Sequence, residues 1–353
     1  MDMKYKSKIV CWGCLLLMAA CDNDMAGPQE AEDDEASLVT FHIGTSESEE
    51  VVYTRAMQDA TETKINKLTV YDFIVRQRTD AGKVDTLFES AQYLEYAGES
   101  VSVPKAGQFV RTDAGATVCL SLHAKENTTH VFAFVANEKK THFDTLMYQQ
   151  ELPIDSLRRA LTTRKLKKGE SCESLMGTQG AVMTGTTLPL TIPEELKDAS
   201  KMTVKLFRIV ARVDVQQEVE DAQNLRIIDI SAKHCAPVGY LFGSGSNGEA
   251  TAESPPKNSL PISLKRNFAV STEDLAALKQ GQTCGKVLYL YEYALTETPV
   301  PTLVLTYTLN GAPRTIDVEM VATDGTRIRI RRNRRYTLIV GGTATRMACS
   351  LKE

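Results

Sequence analysis

Apolar and polar positions alternate strictly near the start of the chain. Val39, Phe41 and Ile43 interleave with Thr40 and His42, which predicts a half-buried strand. A polar, acidic run follows from Ser46 to Glu50, then Val51-Val52-Tyr53-Thr54-Arg55-Ala56. Leu68 to Val75 is apolar on both faces, as a central strand would be. Leu87–Tyr96, Ser100–Val103, Thr117–His123 and Val131–Ala136 read as further strands between turn residues. Ile154 to Lys165 carries apolar residues at 154, 157 and 161, a helical spacing. A second run of strands opens with the β-branched stretch Lys201–Val215. It continues through Leu225–Ile230, Val287–Ala294, Leu303–Leu309, Thr315–Val321, Arg327–Arg331 and Tyr336–Val340. Between them Thr272–Lys279 has helical character, and Asn310-Gly311 is the dipeptide of a tight hairpin. Many short strands at this spacing predict an all-β fold with a few short helices, one sandwich per half, divided between Gly185 and Ser200.

The first residues have a different character. Lys4, Lys6 and Lys8 precede an apolar stretch, Ile9–Met18, too short to span a bilayer as a helix. Leu17-Met18-Ala19-Ala20-Cys21 then has the form of a lipoprotein signal-peptidase box. Small residues let the peptidase reach the backbone, and the Cys21 thiol takes the lipid. Each buried CH₂ of such an anchor contributes ~0.8 kcal/mol of membrane affinity. Residues 1–20 are therefore expected to be a signal peptide, and the acidic Asp22–Ala36 a solvated tether. By analogy with lipoproteins of some Gram-negative groups that carry an acidic stretch after the lipidated Cys, the expected location is the outer membrane, surface exposed and held by lipid.

Composition narrows the function. A net charge of −4 over 353 residues gives no basic field for nucleic acid. Arg327–Arg335 is the densest basic stretch, but Ile328 and Ile330 alternate with Arg327, Arg329 and Arg331, so these arginines are expected on the wet face of a strand. Gly243–Gly248 has the spacing of a phosphate-binding loop without a helix to follow it. The five histidines show no metal-ligand spacing, and no nucleophile elbow or lysine-bearing phosphate loop is present. The sequence thus predicts no enzyme, metal or cofactor. Cys119, Cys172, Cys235, Cys284 and Cys349 are widely spaced and do not reveal a pairing. Only 7% of residues are aromatic, and the one Trp lies in the signal region, which weakens a sugar-binding reading.

Arg55 separates one whole strand from the remaining body and precedes a stretch without strand pattern, so a trypsin-like protease is expected to cut between Arg55 and Ala56. Taken in order, several short motifs resemble the type V pilins, or fimbrillins, of Bacteroidales-type bacteria. They are the box ending in Cys21, Thr54-Arg55-Ala56, Ile65–Phe73, the Val131–Asn137 run ending in Ala-Asn, Met183-Thr184-Gly185, Leu206–Asp214, Leu288–Glu292 and Arg332–Leu338. The resemblance implies two transthyretin-like β-sandwich domains, here 56–188 and 189–353, behind a tether and removable strand at 21–55. It further implies lipoprotein export, cleavage by an arginine-specific protease, and polymerisation by donor-strand exchange with copies of itself or other fimbrial subunits. Donor-strand candidates are Tyr336, Leu338 and Val340, or the later alternation Met347, Cys349 and Leu351. Only Gly341–Glu353 follows Val340, which keeps open a terminal role as anchor or tip, or a ligand-binding surface lipoprotein that does not polymerise.

Overall fold

A computed structural model describes residues 37–45, 60–77, 84–113, 115–122, 128–138, 141, 143–147, 151–167, 175–176, 179–192, 202–217, 225–242, 262–264, 276–278, 280, 282–292, 301–320, 326–343 and 346–352. Within them the chain is almost entirely β. Strands β1 (Ser37–Thr45), β2 (Leu68–Gln77), β3 (Val84–Tyr96), β4 (Gln108–Thr112), β5 (Gly115–Leu122), β6 (Thr128–Ala136), β7 (Met183–Thr186), β8 (Leu190–Ile192) and β9 (Met202–Arg208) belong to one hydrogen-bonded system. Its order is β2-β3-β4-β5-β1-β9-β7-β6, and β6 pairs back to β2, so eight strands close on themselves with β8 added beside β6.

Two strands change partner along their length to close this ring. β3 runs beside β2 through Leu94, then pairs with β4 at Glu95 and Tyr96. β9 pairs with β1 from Met202 to Leu206, then with β7 at Phe207 and Arg208. The ring encloses an apolar core that includes Val39, Phe41, Ile43, Val70, Phe109, Val118, Leu120, Phe132, Phe134 and Leu206. β9 lies beyond position 188, yet it is a member of this first ring.

Ile209 interrupts the β-branched stretch 201–215, and the chain continues as β10 (Val210–Gln217) in another sheet. Remaining strands are β11 (Leu225–Cys235), β12 (Ile262–Leu264), β13 (Thr283–Tyr291), β14 (Thr302–Leu309), β15 (Ala312–Glu319), β16 (Arg335–Thr343) and β17 (Arg346–Lys352). They form two four-stranded sheets, β13-β10-β16-β17 and β12-β11-β14-β15. Val213, Val215, Ile227, Leu303, Leu305, Tyr336, Leu338 and Val340 fill the core of this half. The same cluster continues to Tyr71, Phe73, Phe143 and Leu157, the outer side of β2 covered by the segment after β6. Residues 36–353 make one compact unit.

Local sequence explains much of this, with exceptions. Asn310 (φ 52°) and Gly311 (φ 79°) both take left-handed backbone in the two-residue loop joining β14 and β15, as the Asn-Gly pair predicts. The helix expected over Ile154–Lys165 stops early: α2 spans Ile154–Arg158, and Leu161 instead bridges to Tyr240. Burial of this stretch against the second half outweighs its helical spacing. Ser100–Val103 is a turn, with Val103 exposed. Arg327–Arg331 does not form a continuous strand. Arg327 and Arg331 are exposed and Ile330 is buried, as the alternation predicts, but Arg329 is partly buried, and Arg332 and Asn333 beyond it lie in the interior.

Candidate assembly site

β1 is the first of the described strands and forms part of the wall of the ring. Its backbone pairs antiparallel with β5 from Ser37 (opposite Leu122) to Gly44 (opposite Gly115). On its other edge it pairs parallel with β9, Phe41 opposite Met202 through Thr45 opposite Leu206. The period-two pattern carries Val39, Phe41 and Ile43 into the core, each at most 3% exposed, and leaves Leu38 outside at 52%. Burying such side chains contributes about 1.5–3 kcal/mol apiece. Phe41 stands edge-on to Phe132 and Phe134, with centroids 5.1 and 5.4 Å away. On the outer face His42 Nδ1 lies 3.2 Å from Thr117 Oγ1, a cross-strand contact. Cys119, opposite Thr40, has its thiol pushed above its usual pKa by burial, against a smaller opposing effect of the Thr40 hydroxyl.

Gly115 makes the close approach of β1 possible. Its φ is +151°, and a Cβ there would fall 1.9 Å from the carbonyl oxygen of Ile43. Gly185, in Met183-Thr184-Gly185, serves β9 in the same way: a Cβ would meet the Lys205 carbonyl oxygen at 2.3 Å.

The segment that follows β1 is fastened independently of it. Helix α1 (Ala60–Thr63) buries Glu62, whose carboxylate accepts from Arg208 Nη1 at 2.5 Å, Arg212 Nη1 at 3.0 Å and the Tyr289 hydroxyl at 2.5 Å. Arg212 also forks onto Asp214 at 2.6 and 3.1 Å. Burial works against the charge of both arginines. In Arg208 burial outweighs the attraction of Glu62 and lowers its pKa, whereas Arg212, with Asp214 as well as Glu62, is raised above its ordinary value. Burial and the neighbouring Glu62 carboxylate raise the Tyr289 phenol. A few residues on, Asn137 Oδ1 accepts from the Asn66 backbone at 2.7 Å, and its amide donates to the Lys64 and Ala181 carbonyls at 2.8 Å each. Arg111 donates to the Ile65 carbonyl at 2.7 Å and to Asn66 Oδ1 at 2.8 Å. Residues 62–66 are thereby tied to both halves without using β1.

The predicted site residues fall in different places. Cys21, Arg55 and Ala56 lie outside the described residues. Tyr336, Leu338 and Val340 are wholly buried in β16, which pairs with β10 on one edge and β17 on the other. Met347, Cys349 and Leu351 lie on β17, which among the described residues pairs only with β16, Cys349 opposite Val340 and Leu351 opposite Leu338. Cys349 packs against the core, and burial pushes its thiol up to about 11. Sequence reasoning missed Gly115, Glu62 and the Phe132–Phe134 pair. Phe132 and Phe134 were legible as strand positions, but nothing local marks Glu62, whose partners are 146 to 227 positions away. His130 and Asp72, 2.9 Å apart and buried, form a further pair that no motif announces.

The fold so defined is an all-β body whose N-terminal strand is seated between two strands distant in sequence. No protein-family model matches the chain, and no curated protein matches it in sequence. The fold is nevertheless found among solved structures. The tip fimbrial protein Mfa3 of Porphyromonas gingivalis, with a C-terminal truncation, superposes with a TM-score of 0.50 at 14% identity, covering 90% of this chain and 99% of that one. Candidate cell adhesion proteins from Bacteroides eggerthii and Parabacteroides distasonis also give 0.50 at 14% identity. They cover 90% and 89% of this chain, and 95% and 90% of their own. At that identity the likeness establishes a shared fold.

Proposed function

We propose that this chain is a structural subunit of a surface fimbrium, built from transthyretin-like sandwich bodies and supporting adhesion. It is exported as a lipoprotein acylated at Cys21, reaches the outer surface of the cell and is cut between Arg55 and Ala56. It then assembles by strand exchange, with no enzymatic activity of its own. The observation that carries this reading is the seating of β1. Removing it would unpair two strand edges at once, since β5 and β9 each lose their partner. It would also empty the sites of Val39, Phe41 and Ile43. An unsatisfied buried polar group costs about 1–3 kcal/mol, so such a slot strongly favours any strand that completes it. Fastening of residues 62–66 by Glu62, Asn137 and Arg111 supports a body that keeps its structure after the cut.

The edge position of β17 makes Met347, Cys349 and Leu351 better donor candidates than Tyr336, Leu338 and Val340, which are interior to their sheet. β17 is also folded back along β16 over seven residue pairs. That favours the alternative of a terminal subunit, tip or anchor, which lends no strand. The test is to treat the purified full chain with an arginine-specific protease and look for polymers by electron microscopy and native electrophoresis. Polymers whose subunits begin at Ala56, and none from Arg55→Ala, are expected. Filaments of subunits that still begin at Cys21 would overturn the processing step.

A further inference from the structure

We infer that the β1 slot selects a strand with an aromatic side chain at its centre, so that its occupant in an assembly is a strand of aliphatic–aromatic–aliphatic alternation lent by another molecule, and not either C-terminal segment of a second copy of this chain. The inference rests on the strand-exchange reading above.

The selectivity lies in the depth of the slot at its middle. Phe41 is fully buried, with its ring edge-on to Phe132 at 64° and to Phe134 at 67°. Edge-to-face pairs of this kind add about 0.5–1.5 kcal/mol to simple burial and set the orientation of the inserted ring. The flanking positions hold aliphatic side chains: Val39 stands opposite Leu120, and Ile43 opposite Ala116 and Val204. Read along the strand, the slot takes an aliphatic residue, an aromatic one and an aliphatic one, each two positions apart.

Neither C-terminal candidate of this chain has that pattern. Met347, Cys349 and Leu351 fill all three positions only with Cys349 in the middle, whichever way the strand runs. A thiol there would leave much of the ring volume empty, and interiors do not collapse fully onto such voids. Tyr336, Leu338 and Val340 place Leu in the middle. Sliding that strand to bring Tyr336 to the centre moves Arg334 into an aliphatic site. β16 also cannot leave without stripping the partners from both β10 and β17. A complementary donor therefore carries an aliphatic–aromatic–aliphatic alternation, which neither 336–340 nor 347–351 provides.

The test uses the full chain, cut within residues 46–55 by an arginine-specific protease or through an engineered site there. Fluorescent peptides corresponding to residues 37–45, to the same peptide carrying Phe41→Cys, and to residues 346–352 are then offered in excess. The 37–45 peptide is expected to exchange into the body. The Phe41→Cys peptide and the 346–352 peptide should each bind at least about thirtyfold more weakly. Uptake of the 346–352 peptide within about threefold of the 37–45 peptide, on the scale where tenfold is 1.4 kcal/mol, overturns this inference and leaves strand exchange standing. A body that takes up none of the three overturns both. Hydrogen exchange on the uncut chain gives a second readout that does not need an empty slot. Phe41→Cys should speed exchange of the β1 amides at least about tenfold more than Phe41→Tyr does. Equal effects would count against an aromatic site.

Discussion

The carbonyl oxygen of Ile43 lies where a side chain on Gly115 would have to begin: a Cβ at Gly115 would be 1.9 Å from it. Gly44, opposite Gly115 in the register, has nothing within 4 Å of an added Cβ. Gly115→Ala should therefore cost at least about 2 kcal/mol in urea unfolding and release β1 first. Gly44→Ala should change stability by no more than about 0.5 kcal/mol. Hydrogen exchange of the β1 amides checks the order of events, and equal losses in the two variants would show that the close approach does not matter.

Glu62 is the shared acceptor of two buried arginines and a phenol. Breaking a buried ion pair by removing one partner costs about 3–5 kcal/mol, because the remaining charge is stranded. Glu62→Ala should show a loss of that size by chemical denaturation. Adding Arg208→Met to it should recover part of the loss, since one stranded cation is then gone. A double variant less stable than the sum of the single changes would contradict the coupling.

Stability should fall at high pH through Tyr289. The folded protein holds this phenol protonated above its ordinary value, through burial and the nearby Glu62 carboxylate. Below about pH 10 folded and unfolded states are both protonated, and the contribution is complete. Above that, the unfolded chain ionises first, so stability is lost as pH rises. Tyr71 and Tyr291 shift in the same direction. Tyr289→Phe should flatten the decline measured by thermal unfolding between about pH 9.5 and 11, where an ordinary phenol begins to ionise.

Cys349 reports whether β17 stays home. Burial raises its thiol to about 11, so little thiolate exists near pH 8 while β17 is docked. Alkylation at that pH should be slow in the monomer and speed up by more than about tenfold wherever β17 leaves β16. If this chain is a terminal subunit, Cys349 stays protected in filaments. If β17 is lent to a neighbour that leaves the thiol facing water, the rate rises. Mass spectrometry of alkylated Cys349 before and after assembly separates the two.

Asn137 should be sensitive for two separable reasons. It adopts φ 63°, and its side chain holds the Asn66 amide and the Lys64 and Ala181 carbonyls. Asn137→Gly keeps the backbone conformation and loses the bonds. Asn137→Ala loses both and should be less stable by a further ~1 kcal/mol, measured by urea unfolding.

The alternation of Val39, Phe41 and Ile43 by itself specified a strand with one buried face, because side chains of successive residues point to opposite sides of a sheet. Asn310-Gly311 likewise specified its hairpin, because left-handed backbone is cheap only for a few residue types. These signals are local and survive in any tertiary setting. Which strands lie beside β1 was not legible. β5 and β9 are chosen by complementary apolar faces and by the clearance at Gly115, across separations of about 75 and 160 residues along the register. Glu62 looked like any surface acid until Arg208, Arg212 and Tyr289 were brought to it. Arg332 looked like one more member of a basic run until Glu292 and the carbonyls of Tyr240 and Leu241 enclosed it. Buried charge depends on partners that only the folded chain assembles, and so tertiary structure alone decided where these groups lie.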